Sequence, residues 1–108
     1  MCLVSAKVPP KVVITKVRDD DFAYKRVVED DIAKAAVKTI KKQAAGDTSF
    51  FLFAGLTQSH YPKETSLEFT NEIRTGPCGD SLLQQGHAVG KIHDAIDNAG
   101  IEANTIVI

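Results

Sequence analysis

The strongest hydrophobic pattern in the chain is a continuous apolar run near its middle. Residues 49–56 read Ser-Phe-Phe-Leu-Phe-Ala-Gly-Leu and contain three of the five phenylalanines. A run of this length, with bulky aromatic side chains and no charge, fits a strand buried on both faces better than a helix, since a half-exposed strand alternates apolar with polar residues. We therefore predict that residues 49–56 form the central strand of a small sheet.

Two longer segments have the spacing of amphipathic helices. Residues 27–45 carry apolar side chains at every fourth position, with acidic residues in the first turns and lysines in the last, as the helix dipole favours. Residues 81–98 begin with the Ser-x-x-Gln form of a capping box and end before Gly100. Inside this second helix Gly86 and Gly90 each cost about 1 kcal/mol relative to alanine, which predicts that another element approaches the helix closely there.

Three further segments are predicted to be strands. Residues 11–17 are a β-branched run, residues 66–74 alternate apolar with polar side chains, and residues 104–108 end the chain in an apolar run. The resulting order, β-α-β-β-α-β, is that of a ferredoxin-like α+β sandwich. In this fold two helices cover one face of a four-stranded antiparallel sheet.

The N-terminal residues are predicted to form an extended arm. Pro9 and Pro10 cannot enter the interior of a helix, and they hold the residues before them in extended conformations. A chain of 108 residues is near the commonest size of a single domain. We therefore divide the sequence into an arm, residues 1–10, and one α+β domain, residues 11–108.

The predicted fold leaves apolar surface for a partner. Both helices of a ferredoxin-like sandwich lie on one sheet face, so the phenylalanine-rich strand needs another cover for its second face. Burial of such a face at about 25 cal/mol per Å² favours self-assembly. The predicted interface draws on the central, alternating and C-terminal strands and consists of Phe50, Phe51, Phe53, Leu67, Phe69, Ile106 and Ile108.

Composition and charge exclude several classes of function. The chain has 13 Lys and Arg against 14 Asp and Glu, and its net charge of −1 argues against nucleic acid or an anionic membrane as the main partner. No apolar run approaches the roughly 20 residues of a membrane span. Two cysteines do not make a disulfide framework. We expect a cytoplasmic protein that binds a second copy of itself, as a homo-oligomer, or a foreign protein.

The turn from Gly76 to Ser81 is the main candidate for chemistry. Cys78 lies just before the predicted start of the second helix, where unpaired N–H groups favour a thiolate or a bound anion. Asp80 opposes both effects by adding negative charge. Two interpretations stay open: Cys78 is a plain turn cysteine, or Cys78 and His87 serve a small enzyme or ligand-binding domain.

Neither the histidines nor the acidic residues have the spacing of a metal site. His87 and His93 are six residues apart, so they point to different faces of a helix. The acidic groups at residues 19–21 and 29–31 lack the alternating ligands and bend glycine of a calcium loop. We therefore expect neither a metal nor a cofactor.

A short pattern opens the chain. It consists of Met1, Cys2, Lys7, Pro9, Pro10 and Lys11. This pattern resembles the start of some small virion proteins of short-tailed bacteriophages, which begin Met-Cys and reach a Pro-Lys pair soon afterwards. The resemblance implies a particle component or a protein ejected with the genome, and it assigns no role to a residue beyond the arm.

These observations favour a non-enzymatic interaction or assembly protein. The resemblance implies that this interaction protein is a phage virion component or a phage-encoded inhibitor of a host protein, located in the host cytoplasm or the virion. The alternative is the small enzyme or ligand-binding domain that uses the Gly76 to Ser81 turn.

Overall fold

The computed structural model describes residues 2–5, 13–16 and 21–108 of the chain. Strand β1, Cys2–Ser5, pairs with strand β2, Val13–Lys16, in a two-stranded antiparallel sheet. Cys2 lies opposite Lys16, and Ser5 lies opposite Val13. The elements that follow are helix α1, Phe22–Lys25; helix α2, Val28–Ala44; a 3₁₀ turn, Leu67–Phe69; helix α3, Pro77–Asn98; and a 3₁₀ turn, Glu102–Asn104.

The prediction of two long amphipathic helices is confirmed by α2 and α3. Helix α2 buries the side chains that recur along one face, and its first turn is acidic while its last turn is basic. Ile40 of α2 packs against Ala95 and Ile96 of α3. A second apolar cluster joins Tyr24 of α1 to the start of α2. The two clusters lie along α2, which is therefore the central element of the described core.

Helix α3 begins four residues before its predicted start. Gly76 has a φ of 71°, a conformation that favours glycine, and Pro77 occupies the first helical position, where its missing N–H costs nothing. Ser81 consequently lies inside the helix, and its hydroxyl donates a hydrogen bond to the carbonyl oxygen of Gln58. The predicted capping box is wrong.

The predicted ferredoxin-like fold and its four-stranded sheet are also wrong. Among the described residues the pairing of β1 with β2 is the sole strand pairing, and β1 lies within the predicted arm. Residues 49–56 are extended, but they form no ladder. The predicted C-terminal strand begins instead in the 3₁₀ turn Glu102–Asn104, and the residues after it pair with no strand. The described part of the chain is mainly helical.

Residues 66–74 fold into local turns instead of the predicted strand. The Asp80 carboxylate accepts hydrogen bonds from the N–H groups of Asn71, at 2.8 Å, and Ile73, at 3.2 Å. Amides held by a nearby side chain are not available to a sheet ladder. Leu67, which belongs to the apolar positions of the predicted strand, is 81% exposed. The alternation of apolar and polar residues therefore does not mark two faces here.

The close approach expected on α3 occurs at a different glycine. A Cβ atom added to Gly86 or Gly90 would meet nothing within 4 Å in the described part of the chain, which does not supply the predicted close contacts at these positions. A Cβ at Gly79 would collide with the side chains of Thr75 and Ile73. The turn before α3 thus packs against the first turn of the helix, and Gly79 leaves the space for it.

An ion pair links the two long helices. The Asp30 carboxylate lies 2.5 Å from the Lys34 ammonium on α2 and 2.7 Å from the Lys91 ammonium on α3. Hydrogen bonds from Lys34 and then Lys91 hold the pKa of Asp30 below its usual range, and the same contact raises the pKa of Lys34. The three side chains are partly exposed, so we expect a modest contribution to stability.

Replacing the two open glycines of α3 with alanine should stabilise the protein. Gly86→Ala and Gly90→Ala each remove the conformational cost of glycine without a clash, so we expect each to add about 1 kcal/mol to the free energy of unfolding. Urea denaturation followed by circular dichroism measures the change. Gly79→Ala is the matched control and should destabilise. Equal effects at all three positions would contradict this packing.

Acid should weaken the link between α2 and α3. Because the folded pKa of Asp30 is lowered, its contribution is complete above the unfolded pKa of about 3.9 and is lost as the pH falls through the lower folded pKa. Asp30→Asn should lower the free energy of unfolding by about 0.5 kcal/mol at pH 7. Its stability should also depend less on pH than that of the wild type between neutral and acid pH. Melting temperatures measured across this range test the prediction. Asp94→Asn on α3 is the control, and an identical pH profile for both variants would refute it.

Candidate functional site

A groove of 520 Å³ lies between the first two helices and the chain that follows residue 51. Its volume is within the range of small-molecule sites, roughly 300–1,000 Å³. The apolar lining includes Tyr24, Val28, Ile32 and Ala36 from α1 and α2. The remaining lining comes from Lys25, residues 52–58, His60, Tyr61, Pro62 and Glu64.

Residues 50–56, the extended segment beside the groove, have one covered face and one open face. Ala54 and Leu56 pack against the cluster at the start of α2, and Leu52 packs against the cluster that α2 and α3 share. Phe51 and Phe53, which alternate with them, are 86% and 78% exposed. The segment therefore has the side-chain alternation of a strand and lies on α2 without a pairing partner in the described part of the chain.

Four buried polar side chains hold residues 57–66 against α2 and α3. This polar clamp consists of Glu29, Gln58, Ser81 and Gln84. The side-chain amide of Gln58 donates to the carbonyl oxygens of Lys25, at 3.2 Å, and Glu64, at 2.9 Å. Its backbone carbonyl oxygen accepts the hydrogen bond from Ser81. Gln58 thus joins both ends of the loop to the helices.

The other two members of the clamp act from the helices. Gln84 accepts a hydrogen bond from the N–H of Ser66 and donates one to the carbonyl oxygen of Arg26, both at 3.0 Å. One carboxylate oxygen of Glu29, Oε1, accepts from the N–H and the hydroxyl of Thr57 and from the N–H of the next residue. Buried polar groups are stable when they are hydrogen bonded in this way.

His60 lies at the groove on a turn that the clamp holds. Its N–H donates to the carbonyl oxygen of Thr57 at 3.1 Å, and its ring Nδ1 lies 2.7 Å from the carbonyl oxygen of Tyr61. Because a carbonyl oxygen only accepts, Nδ1 carries the proton and Nε2 is the free acceptor of the neutral ring. An imidazole protonated at Nε2 becomes a cationic donor suited to an anionic ligand.

The structure separates the two residues of the alternative hypothesis. Cys78 is exposed in the first turn of α3, where its sulfur contacts the ammonium of Lys63. The ring of His87 packs against the ring of Phe69, with 5.4 Å between centroids. Nine helical positions place Cys78 and His87 about 13 Å apart along the axis and on opposite faces. Cys78 and His87 therefore do not form one site.

The predicted interface residues are mostly exposed. Phe69 is half-buried, and the others are solvent-exposed in the structure: Phe50 at 37%, Phe51 at 86%, Phe53 at 78%, Leu67 at 81%, Ile106 at 91% and Ile108 at 113%. Their contact with a partner stays a prediction.

The groove contains residues that the sequence did not single out. The histidines were considered only as metal ligands or as a partner of Cys78. His60 nevertheless follows the apolar run on a loop, and loops commonly carry binding residues. No local sequence pattern indicates the hydrogen bonds of Glu29, because its partners lie 28 and 29 residues away. No group of three or more potential metal ligands occurs among the described residues. No helix in that part of the chain combines the length and hydropathy of a membrane span.

Comparison with known proteins finds sulfatases. Human arylsulfatase A is 37% identical over 62 residues, which is 57% of this chain and 12% of the enzyme. Rat N-acetylgalactosamine-6-sulfatase is 33% identical over 72 residues, 67% of this chain and 14% of the enzyme. Bovine arylsulfatase A is 34% identical over 58 residues, 54% of this chain and 11% of the enzyme. The chain is thus similar to a small part of each relative.

Two other comparisons gave no match. No family model matches the chain, and no solved structure matches it significantly. The resemblance of residues 1–11 to phage virion proteins is not tested by these results and stays a prediction. Similarity to part of a sulfatase is the finding that bears on function.

Proposed function

We propose that this chain is related to part of a sulfatase, an enzyme that hydrolyses sulfate esters, and that its groove binds the ester. The observation that carries the proposal is the identity of 37% with arylsulfatase A and 33% with N-acetylgalactosamine-6-sulfatase over more than half of the chain. Each match covers a small part of the relative, so we assign the groove only part of the reaction: binding of the ester and proton donation to its leaving group.

The lining of the groove suits the two parts of a sulfate ester. Apolar residues of α1 and α2 offer a surface to the organic group, and the exposed ring of Tyr61 offers an aromatic face. A sulfate group needs hydrogen-bond donors and positive charge. Nε2 of His60 supplies both when the ring is protonated, while Nδ1 stays bound to the carbonyl oxygen of Tyr61.

His60 also fits the proton transfer that the reaction requires. Hydrolysis breaks the bond between sulfur and the ester oxygen, and water supplies the new oxygen on sulfur. The departing oxygen takes up a proton to become an alcohol or a phenol. The water gives up two protons, of which one balances this transfer and the other goes to solvent. A histidine within hydrogen-bond distance of that oxygen can donate the proton from Nε2. The proposed roles of His60 are therefore binding of the sulfate and donation to the leaving group.

Replacing His60 should weaken the binding of an aryl sulfate. We expect 4-nitrophenyl sulfate to shift the amide NMR signals of residues 57–61 in the full chain, and we expect His60→Gln to raise the dissociation constant about tenfold through loss of a charge-assisted hydrogen bond. The titration is followed by heteronuclear NMR, and release of 4-nitrophenol is recorded by absorbance.

A matched variant and a matched ligand control this titration. His93→Gln removes an exposed histidine of α3 that does not line the groove, so it should bind as the wild type does. 4-Nitrophenol, which lacks the sulfate, should give smaller shifts. Equal affinity of the wild type and His60→Gln for the sulfate ester would refute the assignment.

A second candidate function is self-association, favoured by the open face of the extended segment. Phe51 and Phe53 are largely exposed, and the backbone N–H groups of residues 50–56 have no hydrogen-bond partner in the described residues. An unpaired apolar strand edge is a template for pairing with another strand. In this proposal a second copy of the chain supplies the pairing strand.

Removal of the two exposed rings should abolish self-association. We expect light scattering to give a mass above 11.7 kDa for the wild type and near 11.7 kDa for the double variant Phe51→Ser, Phe53→Ser. Leu82→Ser, which removes an apolar side chain that is 60% exposed on α3, is the control and should behave as the wild type does. A monomeric wild type at high concentration would rule out self-association.

A further inference from the structure

The carboxylate of Glu29 is buried at the start of α2 although its charge has no cationic partner among the described ion pairs. The residue is 1% exposed. Oε1 accepts from the hydroxyl of Thr57 at 3.0 Å, from the N–H of Gln58 at 2.7 Å, and from the N–H of Thr57. Burial of a carboxylate is unfavourable unless hydrogen-bond donors replace the water that it loses. Three donors on one oxygen supply that replacement.

The second carboxylate oxygen makes Glu29 rely still more on the donors from residues 57 and 58. Oε2 of Glu29 is buried and has no hydrogen-bond partner among the described residues. All the described hydrogen bonds to this carboxylate therefore reach Oε1, and all come from Thr57 and Gln58. The carboxylate and the chain at residues 57–58 stabilise each other, because loss of either leaves buried polar groups unpaired.

The position of His60 follows from these bonds. Thr57 and Gln58, whose N–H groups donate to Glu29, are the first two residues of the turn. The carbonyl oxygen of Thr57 closes the turn by accepting a hydrogen bond from the N–H of His60. Gln58 adds the bonds to Lys25 and Glu64 that fix the loop on both sides of the turn. The imidazole thus lies on a short turn whose first two residues both donate hydrogen bonds to one side chain of α2.

We propose that Glu29 is a positioning residue that places the His60 imidazole at the groove. It acts through the Thr57 and Gln58 peptides and does not itself line the groove. The consequence for ligand affinity rests on the proposed function in sulfate ester binding. The positioning itself is a property of the free chain and is tested without a ligand.

The test compares substitutions of Glu29 by NMR of the histidine rings. In Glu29→Ala the Thr57 and Gln58 amides lose their acceptor, so we expect their hydrogen exchange to speed up at least about tenfold and the His60 ring signals to shift. Glu29→Gln keeps an oxygen that accepts, so its His60 signals should return toward the wild type. The rings of His87 and His93 lie on α3 and serve as internal references.

Two further variants separate positioning from a loss of folding. Asp31→Ala removes a neighbouring carboxylate that makes no hydrogen bond in the described part of the chain, and it should leave the His60 signals unchanged. If Glu29→Ala does not fold, Thr57→Val removes one donor to Oε1, and we expect it to shift the His60 signals with little loss of stability. Unchanged His60 signals in a folded Glu29→Ala, or in Thr57→Val if Glu29→Ala is unfolded, overturn the proposal.

The same variants link position to binding. Affinity for 4-nitrophenyl sulfate should fall about tenfold in Glu29→Ala and recover in Glu29→Gln. A wild type that does not bind this ester would refute the proposed function, while the ring signals would still report on positioning. An Ala variant with weak binding but wild-type His60 signals would instead refute positioning and leave the proposed function in place.

Discussion

Hydrogen bonds from buried side chains, more than apolar packing, hold the loop that borders the groove. Residues 57–66 contain two apolar side chains, Tyr61 and Pro62, and Tyr61 is 83% exposed. The members of the polar clamp come from the first turn of α2, the loop itself and the first two turns of α3. Each such bond contributes about 1 kcal/mol net, but a broken one leaves a buried group unpaired at a cost of about 1–3 kcal/mol. Detachment of the loop from the two helices would therefore leave several buried polar groups unpaired, and this cost in free energy keeps the loop closed.

The two long helices were predictable because their signals are local, whereas the four-stranded sheet was wrong. The four-residue spacing of Val28, Ile32, Ala36 and Ile40 is enough to define the buried face of α2. A strand is defined by its partner, and alternation along one segment does not reveal whether a partner exists. Residues 66–74 alternate, yet the carboxylate of Asp80, seven to nine residues further along the chain, accepts hydrogen bonds from two of their amides. The prediction failed where a single side chain outcompeted the backbone.

The groove and its clamp depend on contacts between residues that are far apart in sequence. Glu29 was interpreted as one of several acidic residues that complement the dipole of α2, and an exposed glutamate would have the same sequence pattern. Its burial follows from the return of the chain at Thr57, which no local spacing predicts. Gln58 and Gln84 likewise are common surface residues that this fold buries. The apolar run at residues 49–56 was predicted as a sheet strand, whereas in the structure Leu52, Ala54 and Leu56 line one side of the groove.

The hydrogen bonds to Asp80 should protect the surface turn before α3 from proteolysis. Residues 71–75 are exposed and irregular, and Arg74 is a side chain that trypsin recognises. A protease binds its substrate as an extended segment, so the turn must open before cleavage. Opening would break the bonds from Asn71 and Ile73 and leave a carboxylate that is 2% exposed without its donors. We therefore expect cleavage at Arg74 to be limited by local unfolding rather than by exposure of the peptide bond.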